Sequence, residues 1–241
     1  MRKILVGAHR GAMCHASENT LTAFEKAIEF GTYRIELDVR RSRDKQIVVM
    51  HDATVDRTTD GRGRVADMTL EELRHLKVGG TEEIPLLSEV LASVKGRCKL
   101  LVEIKEDGIA DDVVELIVTA GMEDECTISS FNEETLRRVK ELNPRIATAC
   151  FLIEPKRFDP REVVARLGVR MLVVASHTAT VENITAAKRC GLHIRCGIAD
   201  NMSYEETYVI FRRMADMGVD EIACGRPDWI GRMAAQYVGA R

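Results

Sequence analysis

Tyr33-Arg34-Ile35-Glu36-Leu37-Asp38-Val39 is the stretch on which the fold turns. Ile35, Leu37 and Val39 alternate with Glu36 and Asp38, the two-residue period of a β-strand, so both carboxylates share one face. Short runs rich in β-branched residues recur along the chain, at 4–8, 34–38, 100–104, 126–129, 146–151, 171–175, 193–197 and 221–223. Segments of helical period lie between them. The clearest are 20–30, stopped by Gly31, 132–142, stopped by Asn143 and Pro144, and 181–190, stopped by Gly191. Eight successive βα units predict an α/β protein with a parallel sheet closed into a (β/α)8 TIM barrel. A doubly wound open sheet is the rival that strand counting leaves open.

One interval breaks the rhythm, because about sixty residues separate the second and third of these strands, where one helix needs far fewer. The sequence places an insertion at 40–86, with an extended piece at 46–50, a polar turn at 51–64 and an amphipathic helix at 69–76; the helix at 88–94 then completes the unit. No Pro-, Gly- or Ser-rich linker and no close repeat divides the chain elsewhere, so 1–241 reads as one domain carrying a decorated loop.

Composition narrows the function. The 241 residues are 45% hydrophobic, enough for a full core, and the net charge of -3 comes from evenly mixed signs without a polybasic run. Nucleic acid is therefore a poor partner, and no GxGxxG or Walker-type loop supports a nucleotide. The segment 1–7 is too short for a signal h-region or a membrane span, which predicts a cytoplasmic enzyme without stable membrane insertion. Seven scattered cysteines lack the CxxC pairs of a zinc site and read as small core residues. Cys14 stands apart, since its loop adjoins the candidate site and makes thiol sensitivity conceivable. Trp229 reads as core.

The chemistry begins with acids. Leu101, Glu103 and Lys105 share a strand face, as Glu36 and Asp38 do, and three carboxylates converging on a barrel mouth make a hard-oxygen site for Mg2+ or Ca2+. The alternative is a structural ion cluster in which the same acids pair with Lys105, Arg10 or Arg40. His9 ends the first strand and His51 ends the extended piece of the insertion; imidazoles at strand ends of such a barrel suit proton transfer, and each also fits a plain hydrogen-bonded histidine. His75, His177 and His193 keep the plain reading, as does His15, although it is near enough in sequence to line the mouth.

These residues fall in an ordered set: His9-Arg10-Gly11, Glu18-Asn19-Thr20, Glu36-x-Asp38, His51-Asp52, Arg57-Thr58-Thr59-x-Gly61-x-Gly63, Ile84-Pro85 and Glu103-Ile104-Lys105. The set resembles the glycerophosphodiester phosphodiesterase family, densely over the first hundred residues and thinly at Ser130-Phe131 and Gly218-Val219-Asp220. The resemblance implies hydrolysis of glycerophosphodiesters to sn-glycerol 3-phosphate and an alcohol. It implies one divalent cation on Glu36, Asp38 and Glu103, and His9 and His51 as a general acid/base pair. Arg10 and Lys105 are suitably placed to bind the phosphate. Attack by water and attack by the glycerol's own hydroxyl both remain open, as does a homo-oligomer. Asn19 is expected to cap the first helix, Glu18 to sit near the mouth, and the Arg57-Thr58-Thr59 turn to fix the insertion over it.

The chain also departs from the family. Ser17 stands where Pro is usual, Asp44-Lys45 replaces Asp-Gly, the late strand Ile194-Arg195-Cys196-Gly197-Ile198 lacks its Trp and is followed by Asp200-Asn201, and Cys224-Gly225-Arg226-Pro227 replaces Thr-Asp before Pro. Three competing functions follow: a lysophospholipase D-like phosphodiesterase, a Schiff-base lyase using Lys105, and a non-catalytic glycerophosphodiester-binding protein.

Overall fold

The computed structural model describes residues 3–239; Met1 and Arg2, which open the segment examined for a signal, and Ala240 and Arg241 lie outside the described residues. Eight parallel strands close on themselves: β1 (Leu5–Ala8), β2 (Arg34–Arg41), β4 (Lys99–Ile104), β5 (Cys126–Ser129), β6 (Ala147–Phe151), β7 (Met171–Ala175), β8 (His193–Gly197) and β9 (Glu221–Cys224). Closure is direct. β1 pairs with β9 at Leu5 opposite Glu221 and with β2 at Gly7 opposite Arg34, so the sheet has no free barrel edge and the open-sheet rival is excluded.

A ninth strand, β3 (Ile47–Val49), lies outside the barrel, antiparallel to the far end of β2, with Val39 opposite Val49 and Arg41 opposite Ile47. This partner explains why β2 runs to Arg41 rather than stopping at Asp38: the hydrogen bonds of the extra residues go to the extended piece expected at 46–50, whose pairing with β2 the local pattern does not announce.

Helices alternate with the strands. α1 (Leu21–Glu29) follows β1, α2 (Leu70–Arg74) and α3 (Leu87–Val94) follow β3, and α4 (Ala110–Ala120), α5 (Glu133–Leu142), α6 (Pro160–Leu167), α7 (Val181–Arg189), α8 (Tyr204–Met217) and α9 (Pro227–Gly239) follow β4 to β9 in turn. Their starts are written locally: Thr20, Asn132, Asp159 and Thr180 each accept a first-turn amide, and Ser203 with Glu206 forms a capping box on α8.

Alternation along β2 sorts its side chains between two environments. Ile35, Leu37 and Val39 face outward into a core shared with Phe24, Leu91 and Val113, while Arg34, Glu36 and Asp38 take the other face and are also buried. Between β2 and α3 the excursion builds its own small core from Val48, Met50, Val55, Val65, Leu73, Val78 and Ile84. No described helix is long and apolar enough to cross a membrane.

Candidate active site

The mouth is assembled at the C-terminal ends of β1, β2 and β4. At the end of β1 the chain turns sharply: Gly11 has φ +79°, and a Cβ there would stand 2.8 Å from the backbone of Ala23. Arg10 (φ 52°) and Asn19 (φ 58°) are held in the left-handed region, which non-glycine residues seldom occupy, and the Asn19 amide donates to the Arg10 carbonyl at 3.0 Å. The strained turn aims the Arg10 backbone N–H at Glu36 Oε2, 2.9 Å away.

Asp38 and Glu103 lie opposite one another in the β2–β4 register, and Glu36 is two residues earlier on the same face. Carboxylate oxygens of Glu36, Asp38 and Glu103 all lie within 4.8 Å of one another. All three are buried, at 6%, 1% and 7% exposure, too dry for water to screen their repulsion. Burial first, then the neighbouring Asp38, pushes the Glu36 carboxyl up to about 7, against the opposing pull of His9. Glu103 is raised for the same two reasons, with Lys105 and His51 pulling the other way.

Lys105 Nζ lies 2.6 Å from Glu103 Oε1 and 3.6 Å from Asp38 Oδ1, and Arg10 Nε lies 3.4 Å from Asp38 Oδ2. Arg10 Nε is buried without a hydrogen-bond acceptor, so a donor stands ready beside the acids. Arg40 goes elsewhere, to the His51 carbonyl and Glu106. Two cations against three carboxylates leave the cluster short of positive charge. The donors are all hard carboxylate oxygens, which fits Mg2+ or Ca2+.

Each candidate histidine has a carboxylate behind it. His9 Nδ1 lies 2.6 Å from Asp200 Oδ2, while its Nε2 faces the acids, 3.9 Å from Glu36 Oε2. Burial alone would lower the His9 imidazole, but the Asp200 hydrogen bond with the charges of Glu36 and Asp200 outweighs it and raises it. His51 Nδ1 lies 2.6 Å from Asp52 Oδ1, and Arg57 Nε holds the other Asp52 oxygen at 2.6 Å. Met50, the residue before His51, donates its amide to the Asp38 carbonyl at 2.9 Å, which ties the excursion to the end of β2.

Asn19 sits differently from the sequence expectation, while Glu18, the Arg57 turn, His15 and His75 sit as it placed them. Asn19 does not cap α1; Thr20 does, and the buried Asn19 amide donates to Asp38 Oδ2 at 2.9 Å while its carbonyl accepts from the Asp38 N–H at 3.3 Å. Left-handed backbone at Asn19 turns its side chain inward, away from the helix start. Glu18 is at the lip, bound by Arg10 and by both terminal nitrogens of Arg57, so the Arg57 turn clamps the excursion to the β1–α1 loop. His15 pairs with Asp228 at 2.8 Å, and His75 contacts a backbone carbonyl. Trp229 is half-buried and packs against the core of the late strands, its ring 4.6 Å from the Arg226 guanidinium carbon. All seven cysteines are free, and burial with nearby Asp200 raises the Cys14 thiol, which lowers its thiolate fraction and works against the expected thiol sensitivity.

Asp200 is the residue to which local reading gave no role: it lies 191 residues from His9, in a segment noted only as a departure from the family pattern. Asn19 and Asp52 lay inside quoted motifs, without a role that spacing could assign.

The fold and site define a (β/α)8 barrel with buried acids and carboxylate-backed imidazoles at its C-terminal mouth, where enzymes of this architecture carry their active sites. The glycerophosphoryl diester phosphodiesterase family model matches residues 9–229, and the chain belongs to that family. The glycerophosphodiester phosphodiesterase of Caldanaerobacter subterraneus subsp. tengcongensis is 41% identical over 170 residues, covering 64% of this chain and 70% of that protein. The putative glycerophosphodiester phosphodiesterase YhdW of Bacillus subtilis is 34% identical over 237 residues, 92% of this chain and 95% of its own length. Among solved structures, the Agrobacterium tumefaciens glycerophosphodiester phosphodiesterase superposes with a TM-score of 0.83 at 31% identity, covering 96% of this chain and 100% of that one. The protein is thus a phosphoric diester hydrolase acting on glycerophosphodiesters, which sets aside the lyase and the non-catalytic binder.

Proposed function

We propose that this enzyme hydrolyses glycerophosphodiesters to sn-glycerol 3-phosphate and an alcohol in a metal-dependent reaction that uses two histidines. The carrying observation is the set of three buried carboxylates within 4.8 Å, whose mutual repulsion a cation would relieve. Glu36, Asp38 and Glu103 would hold one divalent ion, Mg2+ or Ca2+. Bound there, the ion would supply Lewis-acid polarisation and charge neutralisation for the phosphodiester. Support for the product comes from a relative: the Oleispira antarctica phosphodiesterase, 25% identical with a TM-score of 0.85 and 97% coverage of both chains, was solved with the product sn-glycerol-3-phosphate.

The chain's own groups account for the rest. Arg10 and Lys105 receive the non-bridging oxygens, where negative charge grows as the attacking oxygen approaches phosphorus. One imidazole takes the proton of that oxygen, from water or from the neighbouring glycerol hydroxyl. The P–O bond to the alcohol breaks, and the other imidazole protonates the departing alkoxide; attack by water gives sn-glycerol 3-phosphate directly, whereas attack by the hydroxyl gives a cyclic phosphate that a water then opens to the same product. Asp200 and Asp52 each accept from Nδ1 of their histidine, so each Nε2 is left to do the transfer. Lys105, engaged by Glu103 and Asp38, serves as a cation for phosphate rather than as an imine-forming amine.

The test is release of sn-glycerol 3-phosphate from glycerophospho-choline, -ethanolamine, -glycerol and -inositol before and after chelation. Turnover is expected to disappear when the metal is stripped and to return with Mg2+ or Ca2+. Full activity in protein shown to be metal-free would overturn the proposal.

A further inference from the structure

The acids on the His9 side of the mouth each have a partner, and the guanidinium among them has none. Asp200 holds His9 at 2.6 Å with one oxygen and accepts the Gly225 amide with the other. Asp228 lies 2.8 Å from His15 and 3.7 Å from Arg232. Arg226, between Gly225 and Asp228 in the loop from β9 to α9, forms no salt bridge with either acid or with any other described residue. Its Nε is buried without an acceptor, which is rare for a buried donor.

The side chain is nevertheless fixed in place. The Arg226 amide donates to Cys224 Sγ at 3.4 Å, and its carbonyl accepts from the Trp229 amide at 3.0 Å, so the backbone is pinned at the start of α9. The guanidinium carbon lies 4.6 Å from the centre of the Trp229 ring, and Tyr204 braces that ring edge-on at 5.2 Å and 77°. Stacking of this kind holds the planar fork in one orientation and leaves its terminal N–H groups for an acceptor. The β1–α1 loop is close by: a Cβ at Gly225 would stand 2.6 Å from Met13 Cγ and 2.9 Å from Cys14 Sγ. Burial and Asp200 raise the Cys14 thiol while Arg226 opposes them, so the positive charge of Arg226 is felt on that side of the rim. The path to the chemistry is short, from His9 to Asp200, from Asp200 to the Gly225 amide, and on to the next residue, Arg226.

We infer that Arg226, held on Trp229, is a phosphate-binding site on the rim, apart from the carboxylate cluster and its two attendant cations. A planar guanidinium meets two phosphate oxygens at once, and a phosphate supplies the acceptor that no described side chain provides. The partners of Asp200 and Asp228 mute the repulsion those acids would exert on a bound anion. Two sources carry this chemistry: the far phosphate of a diester that contains two, and free inorganic phosphate.

Trp229 is the only tryptophan of the chain, so its fluorescence reports on the site. Inorganic phosphate is titrated into the full-length protein against sodium chloride of equal ionic strength, with calorimetry as a second reading. A saturable change beyond that of chloride is expected, weakened at least about tenfold in Arg226→Met, whereas phosphate held at the carboxylate cluster would persist in that variant. Arg226→Lys keeps the charge without the fork; it is expected to bind several-fold more weakly than wild type and serves if the Met variant folds poorly. The second arm compares kcat/KM for bis(glycerophospho)glycerol, which has two phosphates, with that for glycerophosphoglycerol, which has one. A preference for the former that falls at least about tenfold in Arg226→Met assigns the site to substrate, and phosphate binding with an unchanged preference assigns it to the free ion. No saturable phosphate change together with a preference equal in wild type and variant would overturn the inference. Should neither diester turn over, the phosphodiesterase reading fails on its own account. Fluorescence titration with the unhydrolysed bis(glycerophospho)glycerol then decides the rim site: binding lost in Arg226→Met upholds it, and binding equal in both proteins refutes it.

Discussion

His9 and Asp200 show how one distant residue can set the usefulness of another. Asp200 Oδ2 fixes the imidazole at 2.6 Å and accepts the Nδ1 proton, which leaves Nε2 turned toward Glu36. Asp200 is a positioning residue. Asp200→Ala is expected to lower kcat about a hundredfold, the scale of a 1 Å misplacement, with KM little changed, and Asp200→Asn, which still accepts from Nδ1, is expected to recover part of that loss. A matching rise in KM for both variants would point to a collapsed pocket instead. His9→Ala and His51→Ala should each reduce turnover by at least about a hundredfold while circular dichroism stays unchanged. Near-normal turnover in either would remove that imidazole from the mechanism.

At the scale of elements, the β1–α1 junction carries the site as much as any strand does. Gly11 is pressed against the Ala23 backbone in a left-handed conformation, and its neighbour Arg10 presents both an amide to Glu36 and a guanidinium to Glu18 and Asp38. Gly11→Ala adds a methyl group where none fits, so a loss of roughly 1–3 kcal/mol in urea unfolding is expected together with reduced activity. Unchanged stability would show that the turn relaxes freely. The excursion after β2 is secured differently: β3 extends β2, and Arg57 ties Asp52 to Glu18, so His51 approaches the acids on a piece with its own apolar core.

Across the whole molecule, a second ion network lies in the barrel interior. Glu221, fully buried, pairs with Arg195 and with Arg34 at 3.1 Å, and His193 lies 3.2 Å away. Burial works to raise its carboxyl, but Arg195, the His193 hydrogen bond and Arg34 outweigh it and bring it from 4.5 down to about 2. The unfolded chain therefore holds this proton more tightly than the folded one. The associated stability is complete above pH 4.5 and is lost as pH falls from 4.5 to about 2. Its size is on the order of 3 kcal/mol. Glu221→Gln is expected to flatten that part of the stability profile and, by leaving two buried guanidinium groups short of an anion, to cost roughly 3–5 kcal/mol in denaturant titrations at neutral pH. An unaltered acid limb in the variant would assign the acid sensitivity to other carboxylates.

What the sequence determined was whatever repeats within a few residues. The period of two in Ile35-Glu36-Leu37-Asp38-Val39 set both the strand and the common face of its acids, and the helix stops at Gly31 and Gly191 punctuated the units. These features depend on neighbouring bonds and on sterics, which a linear chain carries with it. The tertiary structure decided the rest. Closure of β1 on both β2 and β9, the β3 partner that lengthens β2, Asn19 turning from α1 toward Asp38, and Asp200 meeting His9 from 191 residues away are all long-range contacts. Side chains that first meet when the barrel closes leave no periodic trace, so only the folded chain could bring a carboxylate to His9.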